Sequence, residues 1–169
     1  VGTSPEDPAA GLAGLCRAIL DRCREADLTL STAESCTGGL IGHLLTEIAG
    51  ASAVYRGGLI SYSDELKQAE LGVTPETLQR HGAVSAQTCA AMAVGARRRY
   101  GTAFAISVTG IAGPDGGTAA KPVGLTYVAV ADAAGHDVRR HLWDGDRQAN
   151  KLASARAALE LLYERLGPA

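Results

Sequence analysis

The sequence predicts a three-layer α/β/α sandwich around a mixed, mostly parallel sheet of about five strands, one of them antiparallel. Three observations carry that reading. Short apolar or β-branched runs alternate with segments whose apolar residues recur at helical spacing. The alternation breaks near the end, where residues 123–131 and 137–143 read as two strands joined through Ala134 and Gly135, an antiparallel hairpin. At 169 residues with 46% hydrophobic side chains, the chain suits one domain with a full core.

In chain order, residues 1–8 are polar and acidic and read as disordered or as an expression remnant, with residues 9–169 as the single domain. Residues 10–25 form a helix, because Leu12, Leu15, Cys16, Ile19 and Cys23 share one face. That makes Cys16 and Cys23 core thiols. Leu28, Thr29 and Leu30 form the first strand. It runs into Thr32-Ala33-Glu34-Ser35-Cys36-Thr37-Gly38-Gly39, read as a strand-to-helix turn. Leu40, Ile41, Leu44, Leu45 and Ile48 mark the helix that follows, ending near Gly50. Thr37 is its N-cap candidate, which puts Gly38 and Gly39 in the first turn.

Residues 53–62 read as a strand with a bulge at Gly57-Gly58. Ser63 then caps a helix that opens with Asp64 and Glu65. Tyr62 thus falls at a strand end and Lys67 in the opening turn of a helix. Thr74-Pro75 and Ser85 start two more helices, the second burying Cys89, Met92, Ala93 and Ala96. Arg97, Arg98 and Arg99 compensate the dipole at its end. Residues 103–108 are the central strand, followed by a loop over 109–118 rich in glycine. After the hairpin, residues 146–166 form the last helix, with Leu152, Ala155, Leu159, Leu162 and Leu166 facing the core.

Composition narrows the function classes. A net charge of −2 leaves no electrostatic footprint for nucleic acid or a membrane surface. No apolar run approaches the ~20 residues of a membrane span. The four cysteines form no CxxC pair and no metal-ligand spacing. With a polar start in place of a secretory leader, they are expected to be reduced thiols in cytosol.

Ligands in such sheets sit beyond the carboxyl ends of the strands. The turns at Ser35, Tyr62 and Thr109 follow strands that share one direction, so three polar, glycine-rich loops converge. Ser35 is a nucleophile candidate that needs a base. His43 lies on a helix face, and His81 and His141 lie elsewhere. Lys67 is the candidate base, as in serine–lysine variants of nucleophilic catalysis. Cys36 competes with Ser35, because a thiol at a helix start can have a lowered pKa. Glu34 is either a general base or a holder of loop N–H groups. Unpartnered N–H groups at a helix start bind anions, so Thr37, Gly38 and Gly39 could receive a phosphate or a developing oxyanion. Arg147 opens the last helix against the dipole preference, which suggests an anionic partner, with Asp144 and Asp146 as the alternative. Lys121 reads as a solvated loop cation.

Several stretches stand together in one order: Ala33-Glu34-Ser35-Cys36-Thr37-Gly38-Gly39, Ser61-Tyr62-Ser63 with Lys67, Gly82-Ala83-Val84-Ser85, Thr109-Gly110-Ile111-Ala112-Gly113-Pro114-Asp115-Gly116-Gly117, Lys121-Pro122-Val123-Gly124 and Gly145-Asp146-Arg147. In this the chain resembles the CinA C-terminal domain family, the nicotinamide-nucleotide amidohydrolases, over nearly its whole length. The resemblance implies hydrolysis of nicotinamide mononucleotide to nicotinate mononucleotide and ammonia, in pyridine-nucleotide salvage, without metal or cofactor. It implies Ser35 as nucleophile, with Tyr62 and Lys67 assisting its deprotonation and later proton delivery. Glu34, Cys36, Thr37, Gly38, Gly39, Thr109, Gly110, Gly113 and Arg147 are the expected substrate-binding residues. Family members are bacterial and cytoplasmic, free-standing or fused behind a molybdopterin-binding-like domain. A small-molecule nucleotide is the expected partner, and a homodimer the expected assembly. The departures, Ala51-Ser52 and Tyr55-Arg56, touch none of this chemistry. Arg147, the 37–39 turn and the 109–117 loop compete for the phosphate, and the oxyanion is expected at Ser35's own turn.

One test follows from the absence of a metal-ligand spacing. Ammonia release from nicotinamide mononucleotide should survive EDTA; loss on chelation that zinc or another divalent ion restores would overturn the metal-free expectation.

Overall fold

The computed structural model describes residues 8–167. The chain runs α1 (Pro8–Glu25), β1 (Leu30–Glu34), α2 (Leu40–Thr46), a single 3-10 turn (Ala51–Ala53), β2 (Tyr55–Ile60), α3 (Asp64–Leu71), α4 (Pro75–His81), α5 (Ala86–Tyr100), β3 (Phe104–Gly110), β4 (Leu125–Ala131), β5 (His136–Leu142) and α6 (Arg147–Leu166). The sheet order is β2-β1-β3-β4-β5, so the 103–108 run is the middle strand. β1 pairs in parallel with β2 and β3, and β4 is antiparallel to both its neighbours. The single antiparallel strand of the sequence reading is therefore β4, and β5 returns to the common direction. Helices α1, α2 and α6 cover one face, and α3, α4 and α5 the other. The expected disorder of the N-terminus concerns residues 1–7, which lie outside the described residues, and Pro8, where α1 already begins.

The two faces differ in side-chain size. On the α2/α6 face, Ile106, Val108, Val128 and Val130 meet Leu12, Ile19, Ile41, Leu45, Leu159 and Leu162. On the α5 face the sheet presents Ala33, Ala105, Ala129 and Ala131 to Cys89, Met92, Ala93 and Ala96. Small residues let α5 lie close to the sheet and to α3. A Cβ at Gly95 would sit 1.9 Å from the Leu71 carbonyl oxygen. Cys16, Cys23 and Cys89 are fully buried, and burial pushes the thiols of Cys16 and Cys23 up to about 11.

Local signals set most boundaries. Ser63, Thr74, Ser85 and Asp146 each accept from the backbone N–H three residues on, capping α3, α4, α5 and α6. Register slips between Leu30–Tyr55 and Ser31–Gly57, which leaves Arg56 as the extra residue beside the expected glycine bulge. Several boundaries differ from expectation: β1 begins at Leu30 instead of Leu28, β2 spans only Tyr55–Ile60, and β3 runs on through Gly110 into the expected loop. β1 extends through Glu34, because the hydroxyls that read as loop find buried partners: Ser31 bonds Thr102 Oγ1 and Thr32 bonds Tyr55 Oη, each at 2.8 Å. Helix α2 stops at Thr46, and the chain turns through Gly50 (φ 83°) into the 3-10 turn. No helix among the described residues is long and apolar enough to cross a membrane.

The close α3–α5 contact gives a stability test. Gly95→Ala should destabilise the domain by about 2–3 kcal/mol in urea unfolding, the upper end for overpacking. Gly14→Ala, whose Cβ would meet nothing within 4 Å, should instead be neutral or stabilising by up to ~1 kcal/mol.

Candidate active site

Parallel strands deliver their following loops to one edge. The segments after β1, β2, β3 and β5 meet there, around a cleft of about 270 Å³ at the β1–β3 junction. Ser35, Cys36, Tyr62, Lys67, Thr109, Gly110, Gly113 and Arg147 line it, as the sequence reading placed them. Asp64, Ala83, Val84, Ile111, Ala112, Asp115 and Gly116 line it as well.

Glu34, Thr37, Gly38 and Gly39, expected to bind substrate, do not line this cleft. The Glu34 side chain is buried within the turn. Its Oε2 accepts from Thr37 Oγ1 (2.6 Å), Gly39 N (3.0 Å) and Ile41 N (3.1 Å), and its Oε1 from Gly42 N (2.9 Å). Of the two readings of Glu34, the structure takes the holder of loop N–H groups. Thr37 is not the N-cap: Gly39 occupies that position in a left-handed conformation (φ 99°), and no side chain of the cap residue bonds the helix. Gly38 (φ 64°) and Gly39 precede the helix instead of opening it. The start of α2 already holds an anion, the protein's own carboxylate, so it is closed to a substrate phosphate.

Lys67 is 1% exposed, and its Nζ is surrounded by oxygen. It donates to the carbonyls of Ser61 (2.9 Å), Tyr62 (3.3 Å) and Ser63 (3.5 Å), and to Ser35 Oγ at 3.4 Å. Asp64 Oδ1 lies 3.7 Å away. Burial holds the Lys67 amine below its ordinary 10.5, and Asp64 pushes it back up. Among these partners Ser35 Oγ is the one hydroxyl, so it is the one group that can exchange a proton with the amine. Cys36, by contrast, is pushed up to about 12, chiefly by burial, which keeps it a thiol.

Tyr62 does not point its hydroxyl at Lys67. Only its carbonyl meets the amine, and its Oη accepts from Arg147 Nη2 at 3.3 Å. Arg147 Nη1 donates to Gly113 O at 2.6 Å. Thr109 is buried and donates its hydroxyl to Ala83 O at 2.9 Å, tying the 82–85 segment to the end of β3. Lys121 donates to His81 O instead of standing free in solvent. His43 is exposed on α2, as expected.

Sequence reasoning missed Asn150. It is 2% exposed, donates Nδ2 to Ala112 O (3.1 Å) and accepts from Gly145 N (3.0 Å) at Oδ1. It thereby fastens the loop after β3 to the turn that carries Arg147. An asparagine on the buried side of a helix was the available signal, since its amide must find partners there. Asp64 was visible only as a first-turn acid. Among the described residues, no three His, Cys, Asp or Glu side chains gather where a metal ion could be held.

Fold and cleft together define an α/β domain with a polar cleft at the topological switch point of its sheet, where such folds hold small ligands. The chain belongs to the CinA C-terminal domain family, whose description fits residues 13–166. It is 51% identical over 146 residues to a CinA-like protein of Gemmatimonas aurantiaca, covering 85% of this chain and 34% of that relative. It is 53% identical over 121 residues to a putative competence-damage inducible protein of Acetivibrio thermocellus, covering 72% of this chain and 29% of that one. The chain thus spans about a third of the length of the curated relatives it matches. Among solved structures, competence/damage inducible protein CihA from Agrobacterium tumefaciens superposes with a TM-score of 0.88 at 45% identity, covering 99% of this chain and all of that one. The competence damage-inducible protein A from Klebsiella pneumoniae gives 0.89 at 34% identity, covering 92% and 96%.

The lowered Lys67 pKa sets the sign of a pH effect. The unfolded chain binds this proton more readily than the folded one, so between the lowered folded value and 10.5 stability rises with pH. The unfolding free energy of the native chain minus that of Lys67→Met should therefore climb with pH across that window. A flat difference would mean that the cage does not disfavour the charged amine.

Proposed function

We propose that the domain hydrolyses the carboxamide of nicotinamide mononucleotide to nicotinate mononucleotide and ammonia, in pyridine-nucleotide salvage. One observation carries the reading: a buried amine lies 3.4 Å from the hydroxyl of Ser35, inside a cleft with an arginine at its mouth. Neutral Lys67 takes the Ser35 proton as Oγ bonds to the amide carbon. The carbonyl π electrons move onto oxygen. Collapse of that intermediate breaks the C–N bond, Lys67 returns the proton to the leaving nitrogen, and ammonia departs. Water then attacks the serine ester, giving its proton to Lys67, and Ser35 is restored with release of the carboxylate.

The oxyanion needs donors other than the start of α2, whose N–H groups serve Glu34. The Cys36 N–H lies in the turn beside Ser35, which lines the cleft with it. This reading assigns it to the oxyanion. Arg147 takes the phosphate, for which a guanidinium offers two parallel N–H bonds. The high pKa of Cys36 weighs against a cysteine hydrolase, the main rival. On this reading the protein works in the cytoplasm as a homodimer, without metal or cofactor.

Purified chain should release ammonia from nicotinamide mononucleotide. Ser35→Ala should lower kcat by about a thousandfold or more while retaining substrate binding. Cys36→Ala should lose little. Lys67→Arg should be as inactive as Lys67→Met, because arginine keeps its proton. A dead cysteine variant beside an active serine variant would sink the nucleophile assignment, and a Lys67→Arg enzyme with near-normal kcat would remove Lys67 as base.

A further inference from the structure

Tyr62 and Arg147 come from opposite walls of the cleft. Tyr62 follows β2 and is 60% exposed, and Arg147 is the first residue of α6. They meet at the mouth, where Arg147 Nη2 donates to Tyr62 Oη at 3.3 Å. The other terminal nitrogen is tied to Gly113 O, so the guanidinium is held from two sides. It forms no ion pair among the described residues: Asp64 is drawn to Lys67, and Asp115, on the loop that holds Arg147 through Gly113, lines the same cleft without pairing with it.

The phenol has no bond to the catalytic pair. Ser35 Oγ bonds Lys67, and Lys67 reaches Tyr62 only at the main-chain carbonyl. A phenol oxygen that accepts from a cation keeps its own hydrogen free to donate, and the bond it receives strengthens that donation. The guanidinium has further N–H groups to spare. The mouth therefore presents an O–H and N–H donor set around a guanidinium that forms no ion pair among the described residues, which suits an anion with several oxygens.

We propose that Tyr62 and Arg147 form a clamp for the phosphate monoester of the substrate, and that the Tyr62 hydroxyl serves binding instead of relaying the serine proton. The substrate class rests on the nucleotide-amidase reading; the pairing rests on the cleft geometry alone. Tyr62 becomes a specificity residue that favours the nucleotide over the nucleoside.

The test separates the two. In the Ser35→Ala background, nicotinamide mononucleotide and nicotinamide riboside are titrated by calorimetry into the chain with Tyr62→Phe, Arg147→Gln or both. Each single change should weaken nucleotide binding about tenfold, as expected for one hydrogen bond to a charged group. Riboside affinity should move less than about twofold, and the double variant should lose less than the product of the singles. Equal weakening of both ligands, no weakening, full additivity, or no binding of the nucleotide would each overturn the clamp. In the Ser35 chain, Tyr62→Phe should raise KM for the nucleotide and leave the limbs of the pH–rate profile in place. A displaced limb with unchanged KM returns the hydroxyl to proton transfer and overturns the proposal. Failure of the native chain to release ammonia defeats the amidase reading, and the titrations still judge the clamp.

Discussion

A buried carboxylate holds the centre of this domain. Glu34 ends β1, and its side chain takes one hydroxyl and three backbone N–H groups from the segment that follows. The start of α2 is thus capped from the preceding strand instead of by its own cap residue. Removing such an acceptor would leave several buried donors without partners, each a cost of about 1–3 kcal/mol. The chain must fold back tightly to bring those donors in, which explains two consecutive glycines with positive φ. The same bonds aim Ser35 outward: its N–H is held by Val108 O, and its hydroxyl faces the cleft. The N–H groups at the helix start are therefore already engaged by the protein's own side chain.

The unequal faces of the sheet account for the buried lysine. Alanines on the strands allow α5 to close down on the sheet, and Gly95 lets the end of α3 close on α5. Lys67 is buried, and its amine settles among the carbonyls of residues 61–63 at the wall of the cleft. Those carbonyls and Asp64 favour the proton, and burial opposes it.

The opposite wall is organised by ties of a different kind. Asn150, Thr109 and Arg147 each bond a main-chain carbonyl of a neighbouring loop. The loop after β3 is too rich in glycine and proline to hold itself, so Asn150 and Arg147 of α6 give it shape, while Thr109 of β3 holds the 82–85 segment. The two walls touch at Tyr62 and Arg147, and the cleft lies between them.

What the sequence alone determined was local. Helical spacing, the helix starts at Ser63, Thr74 and Ser85 and the hairpin turn specified the element order, and with it the sheet with one reversed strand and the convergence of loops behind Ser35, Tyr62 and Thr109. Those signals reside within a few residues of what they control, so they can be read from the chain. Only the tertiary structure decided which partner each polar group found. Thr37 looked like a cap because the competing carboxylate of Glu34 could be placed there only once β1 was known to run to residue 34. The Tyr62 hydroxyl, expected to assist at Ser35, instead meets Arg147, eighty-five residues along the chain from it. Asn150 and Asp64 read as ordinary helix residues until the loops they face were in place. Hydrogen-bond partners of buried groups are chosen by proximity in three dimensions, among competitors that sequence distance does not rank.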